Sequence, residues 1–212
     1  SNGQQAILPY TMLPLAAPLG AVVGVTAGVA NTLVTRADGS LLIWGSNSSG
    51  QLGLGVGDSI PHPAPVPFGS GQQWQSVSMG SASVLAVASN GTLWGCGVNS
   101  SSQLGDGTTI RRNSLLQIGS ETDWQTVHQG NAHSLAIKQD GSLWAWGDNS
   151  RGKFGDGTTD RSAVPKQVGS GFTRLAGGFA HAVGLKGDGS LWTWGRNSNG
   201  ELGDDTPAAG RS

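Results

Sequence analysis

The sequence predicts an all-β protein built from propeller blades. Three observations carry this. One unit of about fifty residues is written four times; tryptophans come in pairs two residues apart; and 36 of the 212 residues are glycine, where about 7% is usual.

The repeat is the strongest of the three. "DGSLLIWGSNSSGQLG" starts at Asp38, "NGTLWGCGVNSSSQLG" at Asn90, "DGSLWAWGDNSRGKFG" at Asp140 and "DGSLWTWGRNSNGELG" at Asp188, giving spacings of 52, 50 and 48 residues. A lead-in of constant length precedes each copy. Gly28, Gly80, Gly130 and Gly178 stand ten residues before the Asp or Asn, and Ala30, Ala82, Ala132 and Ala180 follow two residues after each Gly. An equal gap in four copies leaves no room for an inserted loop. Self-similarity at this period marks a propeller or a solenoid.

Within a unit the local chemistry reads as strands and turns. "SLAIK" (Ser134–Lys138), "QDG" and "SLWAW" (Ser142–Trp146) form a short hairpin. Gly39, Gly91, Gly141 and Gly189 follow Asp or Asn and are expected at positive φ in tight primed turns. A second turn follows in "WGDNSRG". There Gly147 and Gly152 are expected at special angles, and Asn149 in an Asx-turn. Ser102 stands where the other copies have Gly50, Gly152 and Gly200, which suggests that no glycine conformation is obligatory there. "WQSV" (Trp74–Val77), "WQTV" (Trp124–Val127) and "FTRL" (Phe172–Leu175) form a further strand before the next unit. "LGAVVGVTAG" (Leu19–Gly28) aligns with them, placing Val22 with Trp74 and Val25 with Val77.

The tryptophans fall in two columns spaced by two residues, hence on one strand face. One is Leu42, Trp94, Trp144, Trp192; the other is Trp44, Cys96, Trp146, Trp194. Cys96 reads as a small apolar substitute in a packed column. One such unit cannot bury its own tryptophans, so units must stack face to face. The expected organisation is a Pro-rich extended arm over residues 1–18, then units at about 25–76, 77–126, 127–174 and 175–212, with 19–24 as a return strand.

"GNAHSLAIKQDGSLWAWGDNSRGKFGDGTTDRSAVPKQV" (Gly130–Val168) resembles the repeat of the regulator of chromosome condensation (RCC1) family almost throughout. The "DGSLWAWGDN" wording is more similar to bacterial members than to the eukaryotic exchange factor. The resemblance implies RCC1-type blades of roughly four strands, in a ring that commonly has seven. With four copies and similar tryptophan columns in each, nothing in the sequence sharpens the angle between blades. The expected form is an open sector of a larger, seven-bladed-type propeller, not a four-bladed ring.

Composition narrows the function. The net charge is −1 from 12 Lys and Arg and 13 Asp and Glu, with Arg111-Arg112 the only adjacent basic pair. No basic stripe for nucleic acid results. Pro9, Pro14 and Pro18 interrupt the apolar run Ala6–Val25, which excludes a transmembrane helix there. A single cysteine allows no internal disulfide and is neutral on compartment. The start at Ser1 rather than Met fits processing or truncation upstream, where a targeting signal would lie.

The chain shows no GxSxG, HExxH or P-loop motif. Asp106, Asp156, Asp204 and Asp205 recur with the "LG" turns and read as turn formers, without the Asp/Asn ladder of a calcium loop. No catalytic residue, metal site or cofactor is expected. The loops between copies differ more than the strands do. After the lead Gly they read "VAN", "SAS", "NAH" and "FAH". The expected partner-binding set is Asn31, Ser83, Asn131, His133, Phe179 and His181, with Phe179 either a partner contact or a packing residue against the adjacent blade. A second variable stretch is "GVGDSIPHPAP" (Gly55–Pro65) and "TTIRRNS" (Thr108–Ser114). The expected function is a non-enzymatic protein–protein interaction module. The alternatives are a structural subunit completed by neighbours, self-association through open blade edges included, and nucleotide exchange on a small GTPase, which the resemblance implies.

Overall fold

The computed structural model describes residues 20–205 as strands, turns and loops; the expected arm over 1–18 lies outside the described residues. Blade 1 is β1 (Val22–Ala27), β2 (Asn31–Arg36), β3 (Leu41–Asn47) and β4 (Asp58–Phe68). Blade 2 is β5 (Trp74–Met79), β6 (Ser83–Ala88), β7 (Leu93–Gly97) and β8 (Arg112–Ile118). Blade 3 is β9 (Trp124–Gln129), β10 (His133–Lys138), β11 (Leu143–Gly147) and β12 (Ser162–Gly169). Blade 4 has β13 (Phe172–Gly177), β14 (His181–Lys186) and β15 (Leu191–Gly195). Each sheet is antiparallel with its strands in chain order. The "WQxV" strand opens the sheet of the hairpin that follows it. Among the described residues no helix is long and apolar enough to cross a membrane.

The sheets form an open series. β1 is hydrogen-bonded to β2 in its own sheet and does not close onto the sheet holding Leu191–Trp194, as an open arc requires.

The hairpin turns differ from the primed type. Gly39, Gly91, Gly141 and Gly189 do have positive φ, between +78° and +85°, but the Asp or Asn before each does not. The turn is therefore a three-residue loop closed by one left-handed glycine. The acidic residue faces the other way: Asp140 Oδ1 accepts from Ser142 N (2.9 Å) and Ser142 Oγ (2.6 Å). Ser142 Oγ in turn accepts from Trp144 Nε1 at 2.9 Å. The same chain runs Trp94–Thr92–Asn90 and Trp192–Ser190–Asp188. "DGSLW" is thus a hydrogen-bonded unit that sets the angle of its tryptophan.

Two more expectations change. Ser102 keeps the left-handed conformation, at φ +59°, with the same turn hydrogen bonds that Gly50 makes; the conformation is obligatory even though the glycine is not. Asn149 makes no Asx-turn to its neighbours. It is fully buried, accepts from Phe154 N (2.9 Å) and donates to Thr158 O (3.0 Å). Asn47, Asn99 and Asn197 hold their own loops by the equivalent bond to Leu52, Leu104 and Leu202.

Of the variable stretch after the "LG" turn, most of Gly55–Pro65 is strand, in β4, whereas Thr108–Ser114 is loop up to Arg112, where β8 begins. Pro61, Pro63, Pro65 and Pro67 take alternate positions of β4, which among the described residues has no further strand hydrogen-bonded on its outer side. An edge strand tolerates proline, and the missing N–H groups discourage pairing with another chain.

Packing alternates between two kinds of face. The aliphatic face of blade 1 (Leu33, Leu41, Ile43) meets Trp74, Val77, Ala86, Trp94 and Cys96 of blade 2. Leu85, Val87 and Leu93 of blade 2 meet Trp124, Val127, Trp144 and Trp146 of blade 3. Leu135, Ile137 and Leu143 of blade 3 meet Phe172, Leu175 and Trp194 of blade 4. At each junction the tryptophan column contributes a polar bond. Trp146 Nε1 donates to Gln103 O and Trp194 Nε1 to Lys153 O, both at 2.9 Å. Cys96 Sγ points at the equivalent carbonyl, Gln51 O, at 3.5 Å, so the thiol replaces the donor of the tryptophan column with a smaller apolar side chain. Gly105 and Gly155 are needed here: a Cβ on either would sit under 3.0 Å from the indole of Trp146 or Trp194.

Candidate interaction surface at the axial cleft

The innermost strands β1, β5, β9 and β13 flank a cleft of about 420 Å³. Thr26 and Ala27, Ser78 and Met79, His128 and Gln129, and Gly177 line it. Each innermost strand turns into the next strand through a tight loop, closed by Gly28 N to Asn31 O, Gly80 N to Ser83 O, Gly130 N to His133 O and Gly178 N to His181 O. Such a loop projects the residue after its glycine. Val29, Ser81, Asn131 and Phe179 therefore rim the cleft. Val29 is 82% exposed and Phe179 66%. The rim is continuous between blades 3 and 4, where Asn131 N donates to Phe179 O at 3.2 Å.

The expected set divides on this geometry. Asn131 and Phe179 lie on the rim, and Phe179 is solvent-facing rather than packed on the adjacent blade. Asn31, Ser83 and His133 do not present a surface: all three are buried. The third loop residue is the first residue of a strand, paired with Gly45, Gly97 and Gly147 respectively, and its side chain turns into the blade. Asn31 Nδ2 donates to Ser46 O (2.7 Å), and Ser83 Oγ accepts from Gln129 (2.8 Å). His181 has the same strand position, opposite Gly195, and is half-buried. Val29 and Ser81 were missed. They share the loop position of Phe179, so the column was present in the sequence, two residues before Asn31 and Ser83.

Burial controls the histidines. Neither ring nitrogen of His133 has a hydrogen-bond partner among the described residues. Burial, then the nearby Lys153 and His128, push its pKa down to about 3. His128 is also lowered, by burial and then by His181. Both are neutral at pH 7, so the cleft wall carries no formal charge.

Elsewhere the charged groups serve the fold. Asp106 pairs with Arg112 at 2.6 Å and Asp156 with Lys166 at 2.7 Å. Arg111 donates to Ser48 O at 3.2 Å. Lys153, buried, pairs with Asp148. Among the described residues no group of three or more His, Cys, Asp or Glu converges as metal ligands would.

The comparisons agree with this architecture. A family model described as the regulator of chromosome condensation (RCC1) repeat matches residues 38–87, and a second with the same description matches 22–51, 127–153 and 172–201. The crystal structure of human WBSCR16 aligns with a TM-score of 0.79 at 24% identity, over 91% of this chain and 52% of that one. Yeast RCC1 (Prp20), solved bound to Kap60, aligns at 0.76 and 17%, over 90% and 48%. Prp20p from Saccharomyces cerevisiae, described with its binding to Gsp1p and histones, aligns at 0.74 and 19%, over 86% and 46%. The chain spans about half the length of these structures. With the repeats matched by sequence and the blades by fold, the chain belongs to the RCC1 repeat family.

Proposed function

We propose that this chain is a protein-interaction module, not an enzyme, and that it binds its partner through the cleft rim of Val29, Ser81, Asn131 and Phe179. The observation that carries the reading is the exposure of Phe179 and Val29 at loop tips where the repeated framework needs no apolar residue. An exposed aromatic beside a neutral cleft suits a protein surface, since aromatic anchors dominate many interfaces at ≥2 kcal/mol each. Related structures are described in complex with or binding to proteins: Kap60, Gsp1p and histones.

The test is a photo-crosslinking residue at position 179, compared with one at Ile60 on the outer strand β4. The reading expects partner crosslinks at 179 that are lost on competition with unmodified chain, and none at 60. Partners captured equally by the wild type and by a Val29→Ser, Phe179→Ala variant would sink it. Exchange on a small GTPase is the alternative for this rim. Accelerated nucleotide release by the wild type, abolished by Phe179→Ala, would replace the plain binding reading.

A further inference from the structure

Two junctions lie between four-stranded sheets, blade 1 with blade 2 and blade 2 with blade 3, so their outer margins can be compared residue by residue. Strand pairing sets Val66, Leu116 and Lys166 opposite Ile43, Gly95 and Ala145, which makes Leu115 of β8 the equivalent of Pro165 of β12. At the first junction Val66 and Leu115 pack against the cluster that holds Phe68 and Trp74. A Cβ on Gly69 there would meet Trp74 at 2.4 Å and Leu115 at 2.9 Å. The second junction is not filled in this way. Gly119 follows Ile118 as Gly69 follows Phe68, yet a Cβ on it would meet nothing within 4 Å. Pro165 reaches less far than a leucine, and a groove of about 480 Å³ remains, lined by Leu116, Trp144, Val164 and Pro165. The groove has polar groups at both ends of β8. Arg112, at its start, pairs with Asp106 at 2.6 Å, so these charges cancel. Past its end, Glu121 and Asp123 share the single ammonium of Lys138, at 3.0 and 3.2 Å. That leaves one negative charge in excess, and Glu121 lines the groove.

We propose that this groove is a second docking site, which takes an extended segment of a protein partner, with an aliphatic side chain between Leu116 and Pro165 and a lysine or arginine beside Glu121. The chemistry of the occupant is written in the chain itself. At the neighbouring junction the equivalent space is held by a leucine, Leu115, so a side chain of that size and polarity fits the unfilled one. The excess carboxylate at one end selects a basic neighbour and disfavours an acidic one. An apolar floor with a tryptophan and a polar rim is the usual anatomy of an interface anchor pocket. The site is built on the outer strands β8 and β12, well inside the chain, and does not depend on the rim that carries Phe179.

The test pans a random peptide library, displayed on phage, against the full chain and titrates the enriched peptides by calorimetry. The enriched peptides are expected to pair Leu, Ile or Val with a nearby Lys or Arg. Pro165→Leu installs at the second junction the residue that fills the first, and is expected to weaken their binding by on the order of tenfold or more. Glu121→Gln is expected to weaken it by a few-fold at low salt and less at high salt. Ile60→Ser, at an exposed apolar position of β4 outside the groove, should leave it unchanged. No enrichment, or an enriched set in which no peptide is weakened by Pro165→Leu, overturns the proposal. A groove-dependent set rich in Asp and Glu overturns the choice of a basic partner. If Pro165→Leu fails to fold by circular dichroism, Leu116→Asp on the facing wall decides by the same two outcomes.

Discussion

Gln129 joins two blades through its side-chain amide. Its Nε2 donates to Ser83 Oγ at 2.8 Å and its Oε1 accepts from Gly80 N at 3.0 Å. All three residues are buried. Around this bond β5 and β9 are stitched by side chains: Ser78 Oγ accepts from Gln129 N (2.9 Å), Ser76 Oγ from Val127 N (3.2 Å), and Gln75 Nε2 donates to Trp124 O (2.9 Å). Truncating Gln129 leaves a buried hydroxyl and a buried N–H without their partner, at about 1–3 kcal/mol each. Gln129→Ala should therefore cost about 2–4 kcal/mol in urea unfolding. Gln125→Ala, at an exposed position of the same strand, should shift stability by less than about 0.5 kcal/mol. Equal effects at the two positions would refute the stitching.

Much of this was legible in the sequence. The repeat spacing located the hairpins, the two tryptophan columns located one face of every blade, and the position of Val22 and Val25 located β1. What was not legible has physical causes. A repeat column states which residues are equivalent but not which of them begins a strand, so His133 and Phe179 looked alike as loop residues although one is buried and one exposed. Alternate prolines argue against a strand, and only the edge position of β4 removes the objection. The aspartate of "DGS" looked like a turn residue because of its neighbour Gly. Its actual role, accepting from Ser and through it orienting Trp, needs three residues read together.

Ser102 carries backbone strain that its repeat mates avoid. At φ +59° a residue with a Cβ pays about 1–2 kcal/mol, and two loop bonds, Ser102 N donating to Asn99 O and Gly105 N donating to Ser102 O, hold it there. Ser102→Gly relieves the strain but enlarges the unfolded-state entropy; Ser102→Ala keeps the strain. Both lose the hydroxyl contact with Arg161. The Gly variant should therefore be more stable than the Ala variant by roughly 1 kcal/mol. Thermal or denaturant unfolding of the pair checks this, and an Ala variant at least as stable as the Gly variant would show that the strain is absent.

Cys96 should be inert in the folded chain. It is fully buried, and burial pushes its thiol pKa up to about 12, so almost no thiolate forms at neutral pH. A chromogenic thiol reagent should give no fast reaction with native protein and one equivalent in denaturant. Because Cys96 fills a tryptophan column between blades 1 and 2, the slow native reaction should report the opening of that junction. A fast native reaction would mean that the junction is not closed in solution.

The histidines set the acid limit of stability. His133 has a folded pKa of about 3 against 6.5 for the free side chain, so between these values the unfolded chain binds a proton that the folded chain refuses. Stability contributed by the neutral ring is complete above pH 6.5 and falls with decreasing pH, by at most about 1.4 kcal/mol per pH unit. His128, lowered in the same direction, adds to the slope. The paired aspartates, whose folded pKa values lie below the ordinary carboxylate value, act only at lower pH. The interval from pH 6.5 to pH 5 therefore isolates the histidines. His133→Asn, which installs the residue found at the same column in blade 1, should remove most of a proton from the unfolding linkage and flatten the profile over that interval. Urea midpoints measured every half unit would decide the matter: a wild-type profile flat from pH 6.5 to pH 5, or a variant profile as steep as the wild type, would show that His133 is not held neutral by its burial beside Gly130.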